Sequence, residues 1–471
     1  MTAPTAPTAP ATAPCVVIAG LSARAAAESA ARAGFRVVAV DAFGDLDLAR
    51  SATVVRVPGA GARRYEAGAA ARAADPVRAD AAAYVGGFEN HPAAVERLGA
   101  GRALWGNPAA VLRRVRDPLG LVRSLALRGC PVPAVRAAAA ARGAARVGAG
   151  GVGEVRAGEW GAGAPPQLHD APERGVWQHR SGAPDIDSTP SVWLVKRRAS
   201  GGGRGVAAWG AGDPVPRGAV LQERIDGVPG SVAFVADGHR AVPFALSRQL
   251  VGEAAFGATG FVYCGSILAP AGDAQFARDA ALYAAAVRLA EAVVDAFGLV
   301  GANGVDFVAR DGVPFPVEVN PRYSASMELA ERAFGFGVFA AHARACGGGS
   351  AGDAAAPGGA QPRVPAPAEA LTGAPSREPA RALPAIDLAA LRRGAPAVGK
   401  AVVYARRAVT MGETGGWLDD PTVADVPHPG ERIGAGRPIC TVFAQARDAV
   451  GCHAALVRRA GRVYDAVEGG R

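Results

Sequence analysis

The chain has 471 residues, half of them apolar and a fifth charged, the balance of a soluble globular protein with two or three domains. Its net charge of +9 comes from arginines spread along the chain with no run interleaved with aromatics, so a solvated Arg-rich surface is expected, not a nucleic-acid or anionic-membrane partner. Six cysteines without a CxxC pair argue against a zinc site and a disulfide framework and fit a reducing cytosol. Met1 to Pro14 is a Thr-Ala-Pro repeat without a basic leader, expected to be a disordered tail. No stretch reaches the roughly 18 apolar residues of a membrane span, so a cytoplasmic protein is expected.

In chain order, Cys15–Gly20 reads as a buried strand, Ser22–Ala33 as a helix and Arg36–Asp41 as a second strand. Tyr84–Gly87 and Ala103–Trp105 follow as strands with a helix over Pro92–Leu98 between them, and this alternation implies a parallel α/β sheet. The loop Gly20-Leu21-Ser22-Ala23-Arg24 lacks GxGxxG; it is either a plain βα turn or an anion site using Arg24 and helix N–H groups. A helix is predicted over Arg116–Gly129, then an Ala/Gly-rich insertion between Ala134 and Ser191. The strongly patterned region runs from Val192 to Phe339. Gly347–Pro384 reads as a Gly/Ala/Pro linker, and strand signals at Lys400–Arg406 and Ile439–Phe443 with a helix near Ala446–Val457 mark a small third unit.

Lysine occurs only at Lys196 and Lys400 in a chain that otherwise uses Arg, so each retained Lys invites a chemical reason. Lys196 ends an apolar strand and is followed by a glycine-rich hairpin containing Gly201, Gly202, Gly203 and Gly205. Glycines let a backbone fold over a polyphosphate and aim N–H groups at its oxygens. Val220–Gly227 is a strand running into a polar turn whose Gln222, Glu223 and Ile225 suit an adenine edge and a ribose, although alone it is an ordinary strand end. Arg248, after the strand Val242–Leu246, is either a phosphate or carboxylate ligand or a surface residue.

The most specific segment is Asn303–Ala309 with Pro316–Arg322. Two alternating strands flank the turn Arg310-Asp311-Gly312-Val313, and Asp306 and Glu318 lie nearly symmetrically about it. They are predicted cross-strand neighbours, with Asn320 on the same face by period two. Two carboxylates and an amide oxygen suit Mg²⁺ bridging phosphates, and Arg322 just beyond can reach a transferring phosphate.

Together these segments, over roughly residues 15–345, resemble the ATP-grasp superfamily and its biotin-carboxylase-like members. Lys196 to Gly205 looks like the family's Lys and glycine flap, Gln222-Glu223-Arg224-Ile225 like its adenine hinge, and Asp306, Glu318, Asn320 and Arg322 like its metal and phosphate motif. Val423–Gly430 and Pro438–Ala444 look like a subgroup of predicted ATP-grasp ligases associated with one-carbon metabolism. The family usually carries a second ATP-contacting Lys where this chain has Pro118; Arg116 or Arg123 is then the candidate substitute. The chain has no biotinyl carrier motif, which sets biotin carboxylation aside.

The resemblance implies ATP with Mg²⁺ (or Mn²⁺), activation of a carboxylate as an acyl phosphate, and attack by an amine. Lys196, Arg248 and Arg322 would be catalytic, and small-molecule carboxylate and amine substrates the partners; a homodimer is compatible with these features. ATP-dependent carboxylation through carboxyphosphate and a non-catalytic nucleotide-binding regulator are the rivals. The expected architecture is a tail (1–14), a parallel α/β domain (15–115), a two-lobed α+β ATP-grasp core (116–346), a linker (347–397) and a small β-rich C-terminal domain (398–471).

Overall fold

The computed structural model describes residues 12–57, 65–137, 192–348, 383 and 386–469. The tail through residue 11, the insertion from 138 to 191 and most of the linker (349–382, 384–385) lie outside the described residues. The first unit is a five-stranded parallel sheet in the order β3-β2-β1-β4-β5, from β1 (Cys15–Gly20), β2 (Arg36–Asp41), β3 (Thr53–Arg56), β4 (Ala81–Tyr84) and β5 (Ala103–Trp105). Helices α1 (Arg24–Arg32), α2 (Ala67–Ala74) and α3 (Pro92–Leu98) flank it. β4 is an Ala-Ala-Ala-Tyr strand, so its edge is hidden from a propensity reading, and the predicted Tyr84–Gly87 captured only its end. Gly87 instead turns the chain out of the sheet at φ 102°.

The helix expected over Arg116–Gly129 is the shorter α5 (Pro118–Ala126), and a further helix not expected from the sequence, α4 (Ala109–Val115), precedes it. Proline has no N–H to donate and disfavours helical geometry in the residue before it. Asp117 therefore becomes an N-cap, its Oδ2 accepting from Gly120 N–H at 3.0 Å, with Pro118 at the first helical position.

The core has two antiparallel sheets. The smaller takes the order β6-β9-β7-β8, from β6 (Val135–Ala137), β7 (Trp193–Arg197), β8 (Val206–Trp209) and β9 (Ala219–Glu223). The larger has eight strands in the order β14-β13-β10-β11-β12-β15-β19-β17. These are β10 (Val228–Asp237), β11 (Ala241–Val251), β12 (Tyr263–Leu268), β13 (Val300–Arg310), β14 (Val313–Asn320), β15 (Ala397–Tyr404), β17 (Val423–Ala424) and β19 (Pro438–Ala446). One face packs on α6 (Asp279–Phe297) through Val232, Leu246, Val305 and Phe307 against Leu282, Leu289 and Val293. The other face turns toward the cavity described below and the parallel unit.

The C-terminal segment differs from an independent unit. β15 pairs with β12, Gly265 opposite Ala401, so the segment continues the core's own sheet. Helix α8 (Ala449–Glu468) covers it, and Leu250 and Ile267 share one apolar cluster with Val403, Val442 and Leu456. β16 (Val409–Thr410) and β18 (Arg432–Ile433) form a separate small ladder. Among the described residues no helix is long and apolar enough to cross a membrane.

Buried ions bind the three segments together. Arg24, at the start of α1, is 1% exposed; it donates to Glu328 through Nη1 at 2.7 Å and Nη2 at 3.0 Å, and to Asp425 through Nε at 2.8 Å. Glu328 lies in the first turn of α7 (Met327–Phe334) and also accepts from Lys400 Nζ of β15 at 2.8 Å. Arg24, read from sequence as either a turn residue or an anion ligand, holds protein carboxylates, and Lys400 has its chemical reason in Glu328. Removing one partner of a buried pair leaves the other charge uncompensated, so Arg24→Ala is expected to cost about 3–5 kcal/mol. Urea unfolding checks this; a loss within the range of surface substitutions would show that the network is idle.

Candidate active site

A cavity of about 450 Å³ lies between the two sheets. Its roof is the hairpin between β7 and β8. Gly202 and Gly203 adopt φ of 61° and 73°, and Tyr263 N–H donates to Gly202 C=O at 3.1 Å. A Cβ on Gly203 would sit 1.6 Å from the carbonyl oxygen of Phe261, so only glycine lets the hairpin dock there. The end of β9 supplies Gln222, Glu223 and Ile225 to one wall. One Glu223 carboxylate oxygen is already taken by Ala134 N–H at 2.9 Å.

The floor is the β13–β14 hairpin. Asp311 and Gly312 both take positive φ, 53° and 81°, the signature of a two-residue type I′ turn. The turn pairs Arg310 with Val313, and a bulge between Asp306 and Phe307 then shifts the register by one residue, setting Asp306 opposite Glu318 and Gly304 opposite Asn320. Asn320 Nδ2 donates to Asp306 Oδ2 at 2.9 Å, and its Oδ1 accepts from Arg322 Nη2 at 3.1 Å. Loss of solvent and the neighbouring Glu318 charge push the Asp306 carboxyl up to about 6, against weaker help from Ser231, Asn320 and Arg322. Burial works against ionised Glu318 too, but Arg116 and Lys196 outweigh it and hold that carboxyl at about 2.

Lys196 Nζ lies 3.3 Å from Glu318 Oε2 and donates to Val317 C=O at 3.0 Å. Arg116 Nη1 donates to Glu318 Oε1 at 2.6 Å. Arg322 Nη2 donates to buried Glu89 at 2.8 Å, while its Nε is buried without a partner. Among the described residues no cluster of three or more His, Cys, Asp or Glu side chains forms a metal site. Two carboxylates with an amide oxygen nonetheless fit Mg²⁺, which keeps waters and takes its remaining ligands from phosphates.

The structure thus brings together Lys196, Gly202, Gly203, Gln222, Glu223, Ile225, Asp306, Glu318, Asn320 and Arg322 as cavity lining. Gly201 and Gly205 shape the roof hairpin without lining the cavity. Arg248 is excluded. It pairs with Gly230, which also faces Phe307, so it lies on the α6 side of the sheet, while the next residue, Gln249, lines the cavity. Sequence reasoning missed Glu89, which carried no local signal in its loop after β4. Of the two substitutes offered for the absent Lys, the fold brings Arg116 to Glu318; Pro118 was the signal.

A glycine hairpin over an acidic β-hairpin, with a parallel α/β unit beside it, is the arrangement that the resemblance to the ATP-grasp superfamily leads one to expect. Residues 173–326 match the family model described as the ATP-grasp domain. The fold is similar to that of a biotin carboxylase–β,γ-ATP complex from Campylobacter jejuni (13% identity, TM-score 0.61, covering 94% of this chain and 90% of that one). It is also similar to an L-amino acid ligase from Bacillus licheniformis (12% identity, TM-score 0.55, 96% and 98%). Rhizobium etli pyruvate carboxylase matches at 14% identity and TM-score 0.60 over 95% of this chain, which spans only 37% of that protein's length. No curated protein sequence matches. At these identities the likeness shows the fold.

Two outcomes follow from the geometry. Gly203→Ala is expected to lift the hairpin from Phe261, read as new proteolytic cleavage within residues 198–206; unchanged resistance would contradict the close approach. In the ligand-free chain, the raised Asp306 carboxyl favours the folded state most when protonated. That contribution is complete below about pH 4 and is lost as pH rises through about 6. Wild type should therefore lose on the order of 3 kcal/mol relative to Asp306→Asn across that window, by urea unfolding at several pH values.

Proposed function

We propose that the chain is an ATP- and Mg²⁺-dependent ligase that activates a carboxylate as an acyl phosphate and transfers the acyl group to an amine. The observation that carries this reading is the Asp306–Glu318 pair, with Asn320 and Arg322, on the floor of a cavity roofed by a glycine hairpin. Buried carboxylates set side by side are costly unless a cation is part of their work.

In this reading the adenine lies along the end of β9, against Ile225 and the backbone around Gln222, and backbone N–H groups of the glycine hairpin face the phosphates. Asp306, Glu318 and Asn320 would hold the Mg²⁺, which when bound neutralises phosphate charge. A substrate carboxylate oxygen attacks the γ-phosphorus and the bond to the β-phosphate oxygen breaks, releasing ADP. Lys196 and Arg322 stabilise the charge that develops on the transferring group. Arg322 is held for this by Glu89 and Asn320, and its unpaired Nε leaves a donor for an anion. An amine nitrogen then attacks the acyl carbon and phosphate leaves, carrying away the surplus proton. The part once given to Arg248 falls to Arg322, on the cavity side. The resemblance of the C-terminal segment supports a setting in one-carbon metabolism, and an amino-acid- or glutamate-like substrate on a cofactor precursor is the first to try.

Phosphate release from ATP tests the reading across pools of carboxylates, each with and without amines, and with bicarbonate alone. Release that needs both carboxylate and amine supports ligation. Release with bicarbonate alone moves the assignment to carboxylation through carboxyphosphate. Tight ATP binding with no release from any pool would sink the ligase. Glu318→Ala should lower Mg²⁺-dependent turnover by roughly 10²–10³-fold or more while the circular dichroism spectrum is kept; wild-type turnover would remove Glu318 from the metal set.

A further inference from the structure

Glu318 does not wait free for a cation. Arg116 Nη1 lies 2.6 Å from one of its oxygens and Lys196 Nζ 3.3 Å from the other. Arg116 reaches further, donating to Val319 C=O at 2.9 Å, to Asn90 Oδ1 at 3.0 Å and to Ser200 C=O at 3.2 Å. One guanidinium thereby joins the parallel domain, the floor hairpin and the base of the glycine hairpin. Three carboxylates, Glu89, Asp306 and Glu318, face three cations, Arg116, Lys196 and Arg322, so the site is close to neutral as it stands.

A bare divalent ion entering this cleft would add two uncompensated positive charges beside Arg116 and Lys196, where charges are weakly screened. A metal–nucleotide complex carries a net negative charge and would not. Its phosphates would also offer Arg116 and Lys196 a stronger partner than Glu318.

We propose that Arg116, with Lys196, gates the metal. The two cations hold Glu318 in the nucleotide-free chain, so a divalent ion enters only together with the polyphosphate. Arg116 then turns from Glu318 to the phosphates, freeing the carboxylate for the metal. This rests on the nucleotide and metal reading above, but it assigns to Arg116 an exchange of partners that the reading does not require.

Mn²⁺ binding followed by electron paramagnetic resonance tests it on the whole chain, at about pH 7.5, with and without ADP. Wild type is expected to bind Mn²⁺ alone at least about tenfold more weakly than with saturating ADP. Arg116→Gln should reverse this in a crossed manner, binding free Mn²⁺ about tenfold more tightly and Mn²⁺ with ADP more weakly. Arg116→Lys, which keeps the charge, should preserve the wild-type order. Lys196→Gln provides the same crossed comparison should Arg116→Gln fail to fold. A structural role alone would weaken both forms of binding together. Free Mn²⁺ binding that is unchanged or weaker in the folded glutamine variants overturns the gate. If wild type holds no Mn²⁺ even with ADP, the nucleotide–metal reading itself fails, a result separate from failure of the crossed pattern.

Discussion

The pairing of Asp306 with Glu318 across one β-hairpin is the constraint around which the cavity is organised. Two carboxylates side by side on a partly desolvated sheet face repel each other, and each has lost much of its water. The neighbourhood answers with cations from different parts of the chain. Lys196 comes from β7, Arg116 from the junction of α4 and α5, and Arg322 from the segment after β14, itself held by Glu89 of the parallel domain. The site is therefore a meeting of three chain segments, and its charge balance depends on all of them keeping their places.

A second ionic knot performs the same service for the architecture. Glu328 is bound by Arg24 from the parallel domain and by Lys400 from β15, while Arg24 also reaches Asp425. Both lysines of the chain thus pair with largely buried glutamates, one at the cavity and one behind it. In each place a compact ammonium on a thin stem meets a carboxylate alongside a broader guanidinium. Glu328 follows closely on Ser326, which lines the cavity, so the knot that joins the domains also fixes one end of the site's wall.

What was legible in the chain was local. Period-two alternation and the Asp-Gly turn announced the acidic hairpin, but the turn's own register would set Asp306 opposite Val317; a bulge at that point brings Glu318 there instead. The apolar strand before Lys196 and the glycines after it likewise announced the roof. Arg248 misled because it follows an apolar strand as convincingly as a site residue would; its face is decided by a pairing with Gly230 and by the packing of α6, which come from distant sequence. The C-terminal strands looked like a unit of their own because a long linker precedes them. That β15 adds to β12 is a matter of edge pairing, invisible to composition.

The sequence alone therefore determined the chemistry available to this protein: a retained lysine, a glycine hairpin and an acidic hairpin with Asn320 and Arg322, each a short segment announced by turns and strand periodicity. Only the tertiary structure decided which groups meet them. Arg116 at Glu318, Glu89 at Arg322 and Arg24 at Glu328 join residues far apart in sequence. The reason is physical: local backbone preferences act over a few residues, whereas the compensation of a buried charge is satisfied by whichever partner the packed fold brings within hydrogen-bonding distance.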